Sequence, residues 1–318
     1  MVLIKIKGLS IHYYTLSGIV HAVDNVSFDI VEGEWISVVG ESGCGKSTLA
    51  YSIIGLVPPP GRIVSGEILF NGKNLVKLSR EEMRRIRGKD IGMVFQDPMT
   101  SLDPLRRVGD QVAEVFIEHG VLSNWRDARE KARELLRKVG LPEDRASYYP
   151  HQLSGGQRQR IAIAIAMALQ PKLLIADEPT TALDVIVQDT IMDLMEGFKK
   201  QGTSILFITH DLALAAERSD RIAVMYAGKL VELGSVDQVI DNPAHPYTVA
   251  LLKSVPDLWG GKKIESIPGY PPDLRDPPRG CRFHPRCPFA RDICRKEGPE
   301  TIEVEQGHIA SCHLLRRR

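Results

Sequence analysis

The segment GESGCGKST, residues 40–48, constrains this chain more than any other stretch of it. It matches the pattern GxxxxGK(S/T), and it stands between an apolar run, EWISVVG at 34–40, and a helical pattern that begins STLAYSIIG. In that setting the backbone N–H groups of a glycine-rich turn can surround phosphate groups, and the following helix adds positive potential. The sequence therefore predicts a strand, a phosphate-binding loop and a helix. The alternative is a glycine turn without a ligand.

Each residue of this loop is a candidate contact for a nucleotide. Lys46 would reach the β and γ phosphates, and the Ser47 hydroxyl would bind Mg²⁺. Cys44 stands at a variable position of the pattern and is interpreted as a small filler. The candidate nucleotide-binding residues of the loop are Gly40, Glu41, Ser42, Gly43, Cys44, Gly45, Lys46, Ser47 and Thr48.

A second apolar run, LLIADEP at 173–179, ends in two carboxylates. Ligands of open α/β sheets bind at the carboxyl ends of the strands, so Asp177 and Glu178 would lie at the binding edge. Asp177 would hold the metal, directly or through water, and Glu178 would orient and deprotonate an attacking water. The alternative for such an acidic strand end is a helix N-cap.

The rest of the chain predicts an α/β fold. Buried strands are expected at 34–40, 91–96, 172–178 and 204–210, and amphipathic helices between them imply a mostly parallel sheet covered on both faces. Hairpin signals at 66–75 and 221–234 predict antiparallel strands attached to that sheet. Helical periodicity over about 105–168 predicts an inserted helical subdomain. The 41 basic and 40 acidic side chains give no electrostatic sign of nucleic-acid binding.

Residues 236–318 differ from residues 1–235 in composition. Prolines are frequent after residue 235, and they interrupt long regular helices or strands. We therefore expect a nucleotide-binding domain over 1–235 and a small, loop-rich extension over 236–318. A unit of this kind usually needs a disulfide or a metal to hold it together. It contains four of the five cysteines of the chain.

The segment LSGGQ, residues 153–157, offers a second set of backbone donors before a helix. Here the sequence resembles an ATP-binding cassette (ABC) ATPase, in which this signature faces the ATP held by a partner subunit in a head-to-tail dimer. The resemblance implies that the signature residues contact the partner's ATP. They are Leu153, Ser154, Gly155, Gly156 and Gln157.

The resemblance assigns further residues. Gln96 in FQDP is similar to the glutamine that contacts the metal and senses the transporter, Asp184 in TALD to the D-loop, and His210 in ITHD to the switch histidine of the γ phosphate. Tyr13 is similar to the aromatic residue that stacks on adenine, with Tyr14 as the alternative. The implied reaction is in-line attack of water on the γ phosphate. Its catalytic residues would be Glu178, His210, Lys46 and Gln96.

The segments NPAHPYTVALLKSVP at 242–256 and IPGYPPDLRDPPRGCRFHPRCPFA at 267–290 resemble ATPase subunits of dipeptide and oligopeptide importers, as does QDPMTSLDP at 96–104. The resemblance implies a peripheral subunit on the cytoplasmic face of the membrane, with two permease partners, a second ATPase subunit or a second copy, and indirectly an external solute-binding protein. No apolar run is long enough to span a bilayer. Nickel or oligosaccharide import, and a soluble ATPase of repair or translation, are the alternatives.

In that subfamily the tail cysteines resemble ligands of a [4Fe–4S] cluster. Cys281 and Cys287 are separated by five residues, Cys287 and Cys294 by six, and Cys294 and Cys312 by seventeen. None of these spacings is the two to four residues that structural zinc sites favour. Zinc and free thiols are the alternatives. Five arginines are candidates to balance the negative charge of a cluster: Arg279, Arg282, Arg286, Arg291 and Arg295.

Overall fold

The structure is a computed structural model that describes residues 1–254 and 266–315. Segment 242–256 ends with Val255 and Pro256, which lie outside the described residues. The chain divides into two compact units. The first consists of residues 1–31, 35–77 and 207 onward, and the second of residues 32–34 and 78–206. The predicted boundaries at about 105, 168 and 235 stay predictions.

The first unit begins with an antiparallel sheet. Its strands, in the order β2-β1-β4-β5, are β1 (Val2–Thr15), β2 (Gly18–Val31), β4 (Gly61–Phe70) and β5 (Lys73–Asn74). Asn71 and Gly72 join β4 to β5 with positive φ at both positions, as a two-residue hairpin turn requires. The hairpin was predicted to be attached to the parallel sheet, and this is wrong. Strand β4 pairs instead with β1, which was not predicted from the sequence.

The second sheet of this unit has the strand order β11-β12-β10-β9-β3. Its central pair is parallel, between β3 (Trp35–Val39) and β9 (Arg221–Tyr226). A turn at Ala227 and Gly228 leads into antiparallel β10 (Lys229–Ser235). The tail then adds β12 (His308–Ala310) and β11 (Ile302–Glu305) beside β10. The proline-rich tail therefore extends the sheet at its edge.

The described part of the first unit also contains five helices. They are α1 (Lys46–Ile53), α8 (Leu212–Arg218), α9 (Val236–Asp241), α10 (Pro246–Lys253) and α11 (Asp292–Lys296), with 3₁₀ turns at Leu75–Lys77 and His313–Leu315. Tyr247 of α10 and Phe283 of the tail are buried in one cluster with Val39 and Tyr226. The tail thus shares the hydrophobic core of the sheet, which stabilises a segment with little apolar material of its own.

The second unit contains parallel strands β6 (Ile91–Val94) and β7 (Leu173–Asp177), with β8 (Ser204–Thr209) beside β7 and continuing into the first unit. All five residues of β7 are buried, as expected of a strand covered on both faces. The helices are α2 (Arg80–Ile86), α3 (Pro98–Ser101), α4 (Val108–Glu118), α5 (Trp125–Lys138), α6 (Gly155–Met167) and α7 (Val185–Lys200), with 3₁₀ turns at Glu143–Ser147 and Pro150–Gln152.

Helices α4, α5 and α6 occupy most of the segment predicted to be helical. On α5 the buried residues Ala128, Ala132, Leu135 and Leu136 recur at helical spacing, and this stripe gives the helix an apolar face for packing against α4. In the described parts of the chain, no helix combines the length and the apolar character that crossing a membrane requires.

Candidate nucleotide site

The loop between β3 and α1 approaches neighbouring backbone too closely for any side chain at two of its glycines. A Cβ atom on Gly40 would lie 2.1 Å from the Met225 carbonyl oxygen, and one on Gly45 would lie 2.1 Å from that of Ala22. Both glycines also have positive φ, 155° and 103°. Glycine is therefore required at these positions by steric fit as well as by backbone conformation.

Lys46 lies at the first turn of α1, and its side chain folds back over the loop. Its ammonium donates hydrogen bonds to the carbonyl oxygens of Gly40 at 2.7 Å and Glu41 at 3.1 Å. No side chain caps α1, because Gly45 stands at its N-cap. The helix dipole and a buried ammonium thus converge on one loop, which is the arrangement that binds phosphate.

Cys44 packs inside this loop. Burial raises the pKa of its thiol, although the nearby Lys46 ammonium opposes that shift. The side chain is therefore a neutral thiol at physiological pH, which agrees with its interpretation as a small filler.

Tyr13 of β1 contacts the far end of the loop. Its hydroxyl lies 3.2 Å from Thr48 Oγ1. Neighbouring Tyr14 is exposed, and its ring lies beneath the guanidinium of Arg62. Of the two aromatic candidates, Tyr13 is thus the one in contact with the phosphate loop. His210 follows directly after β8 and is exposed.

In the second unit, Asp177 ends β7 and is fully buried, and Glu178 follows it with a φ of 45°. That left-handed conformation strains a residue with a side chain. The Glu178 carboxylate accepts hydrogen bonds from Gln96 Nε2 at 3.1 Å and Thr181 Oγ1 at 3.2 Å. The fold therefore brings Gln96 to Glu178 and orients the carboxylate. Thr181 was not recognised from the sequence, although it lies in the same run as the motif.

The signature segment is built as a helix start. Ser154 is the N-cap of α6, and its hydroxyl accepts the Gln157 N–H at 3.3 Å. The Gln157 side chain in turn accepts the Ser154 N–H at 3.1 Å. This reciprocal pair is a capping box, which explains why a serine and a glutamine stand three residues apart here. A Cβ on Gly156 would lie 2.4 Å from Val187 Cγ1, so glycine also permits α7 to pack closely.

Asp184 caps α7 by accepting the Val187 N–H at 2.9 Å. The two residues that follow it are large and apolar yet exposed, Val185 at 78% and Ile186 at 81%. Exposed apolar side chains of this kind are typical of an interaction surface.

The four tail cysteines lie near one another in the first unit. Burial, together with the neighbouring Cys312, Cys294 and Cys287, raises the pKa of Cys281 to about 11. Burial also raises the pKa of Cys287 and of Cys312. Among residues 1–254 and 266–315, however, no three His, Cys, Asp or Glu side chains are gathered so as to hold a metal ion. This geometry therefore does not support the predicted metal site at the four tail cysteines.

The oxygen donors proposed for Mg²⁺ suit that ion chemically. They comprise the Ser47 hydroxyl, the Asp177 carboxylate and the amide oxygen of Gln96, and Mg²⁺ prefers oxygen ligands. Because the amide nitrogen of Gln96 faces Glu178, the amide oxygen remains the atom for a metal.

Two arginines of the tail have partners that the sequence did not predict. Arg282 pairs with Asp24 at 2.6 Å, and Arg286 pairs with Glu41 of the phosphate loop at 2.7 Å. The sequence assigned both to charge compensation of a cluster. Their partners lie far away along the chain, so no local pattern could have revealed these pairs.

Comparison with known proteins agrees with this architecture. A family model described as ABC transporter matches residues 23–181, and one described as oligopeptide/dipeptide transporter, C-terminal region, matches residues 231–294. The chain is 49% identical to the oligopeptide transport ATP-binding protein OppD of Bacillus subtilis, over 98% of this chain and 89% of that protein. It is 44% identical to the dipeptide transport ATP-binding protein DppD of Escherichia coli, over 98% of this chain and 97% of that protein.

Solved structures give the same answer. The ATP-binding cassette MJ0796, described as a dimer in a post-hydrolysis state bound to ADP and phosphate, superposes with a TM-score of 0.67 at 34% identity. The match covers 74% of this chain and 99% of the cassette. These similarities extend over nearly the whole chain, and they show that it belongs to the ABC transporter ATPases of the oligopeptide and dipeptide type.

Proposed function

We propose that this chain is the ATP-hydrolysing subunit that powers import of dipeptides or oligopeptides through membrane permeases. The observation that carries the proposal is 44–49% identity, over 98% of the chain, to proteins named for oligopeptide or dipeptide transport. The match of residues 231–294 to the C-terminal region of such transporters supports it independently of the cassette motifs.

In the proposed mechanism, residues 40–48 bind the phosphates of ATP and Tyr13 stacks on adenine. Loop N–H groups and the α1 dipole bind phosphate oxygens, and the Lys46 ammonium exchanges its loop carbonyls for the β and γ phosphates. Ser47, Asp177 and Gln96 would hold Mg²⁺, which neutralises phosphate charge when bound. Phosphoryl transfer depends mainly on positioning and charge, so these contacts supply much of the catalysis.

Glu178 is the proposed general base. Its carboxylate orients a water for in-line attack on the γ phosphorus and takes a proton from it. The hydrogen bonds from Gln96 and Thr181 keep the carboxylate in one orientation. His210 contacts the γ phosphate and, with the signature serine of a second ATPase subunit, stabilises the charge of the transition state.

The proposed assembly is a head-to-tail pair of ATPase subunits on the cytoplasmic face of the membrane, joined to two permeases and served by an external solute-binding protein. The exposed Val185 and Ile186 beside the Asp184 cap support a partner surface here. Solved cassettes similar to this chain are described as dimeric.

The test is solute uptake in a host strain that lacks the chromosomal copy of this chain. We expect labelled dipeptide and tripeptide uptake to be lost and then restored by the wild-type chain but not by the Glu178→Gln variant. Selective loss of nickel or oligosaccharide uptake would instead assign another solute. Unchanged uptake of all three, with the chain recovered apart from any membrane permease, would favour a soluble ATPase of repair or translation.

We further propose that the tail cysteines hold an iron–sulfur cluster, as the resemblance implies. Supporting this, the Cys294 sulfur accepts the Arg291 N–H at 3.4 Å, and backbone groups at Phe283, Phe289 and Leu314 act to lower the pKa of Cys281, Cys287 and Cys312 against the effect of burial. Hydrogen bonds of this kind stabilise thiolates and are typical of cluster ligands. When bound, the cluster would hold the four chain segments together, and we assign it no electron-transfer role.

The test of the cluster is anaerobic purification followed by iron, sulfide and zinc assays on one sample. A cubane cluster predicts about four irons and four sulfides per chain, with a brown colour. One zinc without sulfide would make the tail a zinc module. The absence of both metals would leave four free thiols, with the ATPase assignment unaffected.

A further inference from the structure

The C-terminal tail reaches the phosphate loop through one buried ion pair. Arg286 Nη1 donates to Glu41 Oε2 at 2.7 Å and Arg286 Nη2 to Glu41 Oε1 at 3.0 Å. The Arg286 side chain is only 5% exposed. Its Nε donates to the Pro268 carbonyl at 2.8 Å, so the guanidinium is held on both sides. This two-point geometry fixes the direction of the Glu41 side chain as well as its charge.

Burial alone would lower the pKa of Arg286, but the Glu41 carboxylate and the Tyr226 hydroxyl raise it above its ordinary value. The guanidinium is therefore charged throughout the physiological range.

A second contact holds the backbone of the same residue. The Glu41 N–H donates to the Tyr247 hydroxyl at 2.9 Å. Tyr247 is fully buried, with its ring 4.6 Å from Tyr226 and 5.4 Å from Phe283, centre to centre. Because its ring is packed on two sides, the hydroxyl is a rigid acceptor. Both the main chain and the side chain of Glu41 are thus held by residues that follow position 235.

A third route supports the other end of the loop. Arg282 pairs with Asp24 and donates to the Ala227 carbonyl. The adjacent Gly228 N–H donates to the Cys44 carbonyl of the loop at 2.9 Å. The tail therefore fixes the β9–β10 turn, and that turn fixes Cys44.

We propose that Arg286 and Tyr247 are positioning residues for ATP binding, which hold the phosphate loop in its binding conformation through Glu41. The inference rests on the proposed role of residues 40–48 as the phosphate site. A loop that binds through its N–H groups loses less conformational entropy on binding when it is already ordered. Releasing Glu41 should therefore weaken ATP binding more than it slows the chemical step.

The experiment measures the Kd of the full-length chain for a fluorescent ATP analogue, together with kcat and KM, well below the melting temperature of every variant. We expect Arg286→Gln to raise Kd and KM by about ten-fold or more, the scale of a lost charge-assisted pair. Arg286→Lys should recover part of the affinity, because it keeps the charge but not the two-point geometry. The matched control is Arg279→Gln, an exposed arginine of the same segment.

A double-mutant cycle tests the pair itself. If Arg286 acts through Glu41, the double variant that combines Arg286→Gln with Glu41→Gln should not bind the ATP analogue more weakly than either single variant does. Its Kd should match that of the single variant with the higher Kd. If the losses of binding free energy in the two single variants instead added in full in the double variant, the inference would be overturned. Tyr247→Phe removes one hydroxyl and keeps the packed ring, so it tests the backbone contact even if Arg286→Gln does not fold.

Lys46→Ala separates this inference from the assignment of the phosphate site. If Lys46→Ala binds the analogue as tightly as wild type, the site assignment is wrong. If Lys46→Ala loses binding while Arg286→Gln and Tyr247→Phe bind as tightly as Arg279→Gln, the site stands and the positioning role is wrong.

Discussion

Glu178 combines a strained backbone with a defined side-chain orientation. Its positive φ turns the chain sharply at the end of β7, and Gln96 and Thr181 then fix its carboxylate. A strained residue persists where the surrounding structure determines its conformation, and such residues concentrate at functional sites. The strain and the hydrogen bonds together support a catalytic role for the carboxylate.

We predict that Glu178→Gln retains ATP binding but lowers kcat by about 10²-fold or more, the range expected for loss of a general base. The amide keeps the size and most of the hydrogen bonding of the carboxylate but cannot accept a proton. Steady-state phosphate release and equilibrium ATP binding measure the two effects. The control is Glu130→Gln, at an exposed position of α5. Unchanged turnover in Glu178→Gln would show that Glu178 is not a catalytic residue.

His245 connects the tail to the sheet through a neutral ring. It caps α10 by accepting the Tyr247 N–H at Nδ1, 3.0 Å away, and its backbone N–H donates to buried Glu232 at 2.9 Å. Burial lowers the pKa of His245 to about 4. The unfolded chain would protonate this ring near pH 6.5, so unfolding takes up a proton between those values and acid favours the unfolded state.

We therefore predict that the stability contributed by His245 is present above pH 6.5 and lost as the pH falls toward 4. The loss from this group should reach about 2 kcal/mol at pH 5. Denaturant unfolding at pH 7 and pH 5 measures it, and His245→Asn, which keeps a capping oxygen, should lose correspondingly less. If the wild type and His245→Asn lost the same free energy of unfolding between pH 7 and pH 5, His245 would not titrate in this way. His308, which contacts Glu232, is common to both proteins and cancels in the comparison.

Among the secondary-structure elements, the tail depends on contacts between short segments. Its strands β11 and β12 and helix α11 are each five residues or fewer, too short to be stable alone. They are held by the β10 edge, by buried Phe283 and by the arginine pairs. The four tail cysteines lie between these contacts. A cluster bound by the cysteines would therefore strengthen the same packing.

We predict that Cys287→Ser lowers the iron content of the anaerobically purified chain and makes the tail more sensitive to limited proteolysis. Because Cys287 adjoins Arg286, the same variant should raise the Kd for ATP. Cys44→Ser, which removes the cysteine outside the tail, is the control for metal content. If Cys287→Ser left metal content and protease resistance unchanged, the tail would not be held together by a cluster.

At the scale of the whole molecule, the second unit carries two exposed features that suit a partner. The signature serine is exposed at the start of α6, where its helix dipole and backbone donors suit a phosphate. Val185 and Ile186, at the start of α7, are exposed as well. We expect both features to contact the second ATPase subunit of the proposed assembly.

We predict that Glu178→Gln with Mg-ATP forms a dimer in solution, because ATP stays unhydrolysed between the subunits. Light scattering after size exclusion, with and without ATP, measures the mass. Ile186→Glu in that background should prevent the dimer by placing a charge in the contact. Val121→Glu, at an exposed apolar residue elsewhere, should not. A monomer in ATP would point to a different ATPase chain as the partner.

The features that could be predicted from the sequence are local. The phosphate loop, the acidic end of β7 and the signature each lie within nine consecutive residues, so glycine placement, apolar runs and the resemblance to ABC ATPases were enough to single them out. The four buried strands were also predicted, since each is a short apolar run with its own turn signals. Their bounds in the structure differ from the predicted bounds by no more than two residues.

Contacts between segments that are distant in sequence became visible only in the folded chain. Strand β1 lacks strict alternation because bulges interrupt its pairing with β2, and this concealed the antiparallel sheet. The tail appeared in sequence as a loop-rich extension, yet it supplies two strands, part of a core and the partners of Glu41. Arg286 and Glu41 are 245 positions apart. No local period records such a pair, because its formation depends on the packing of every element between them.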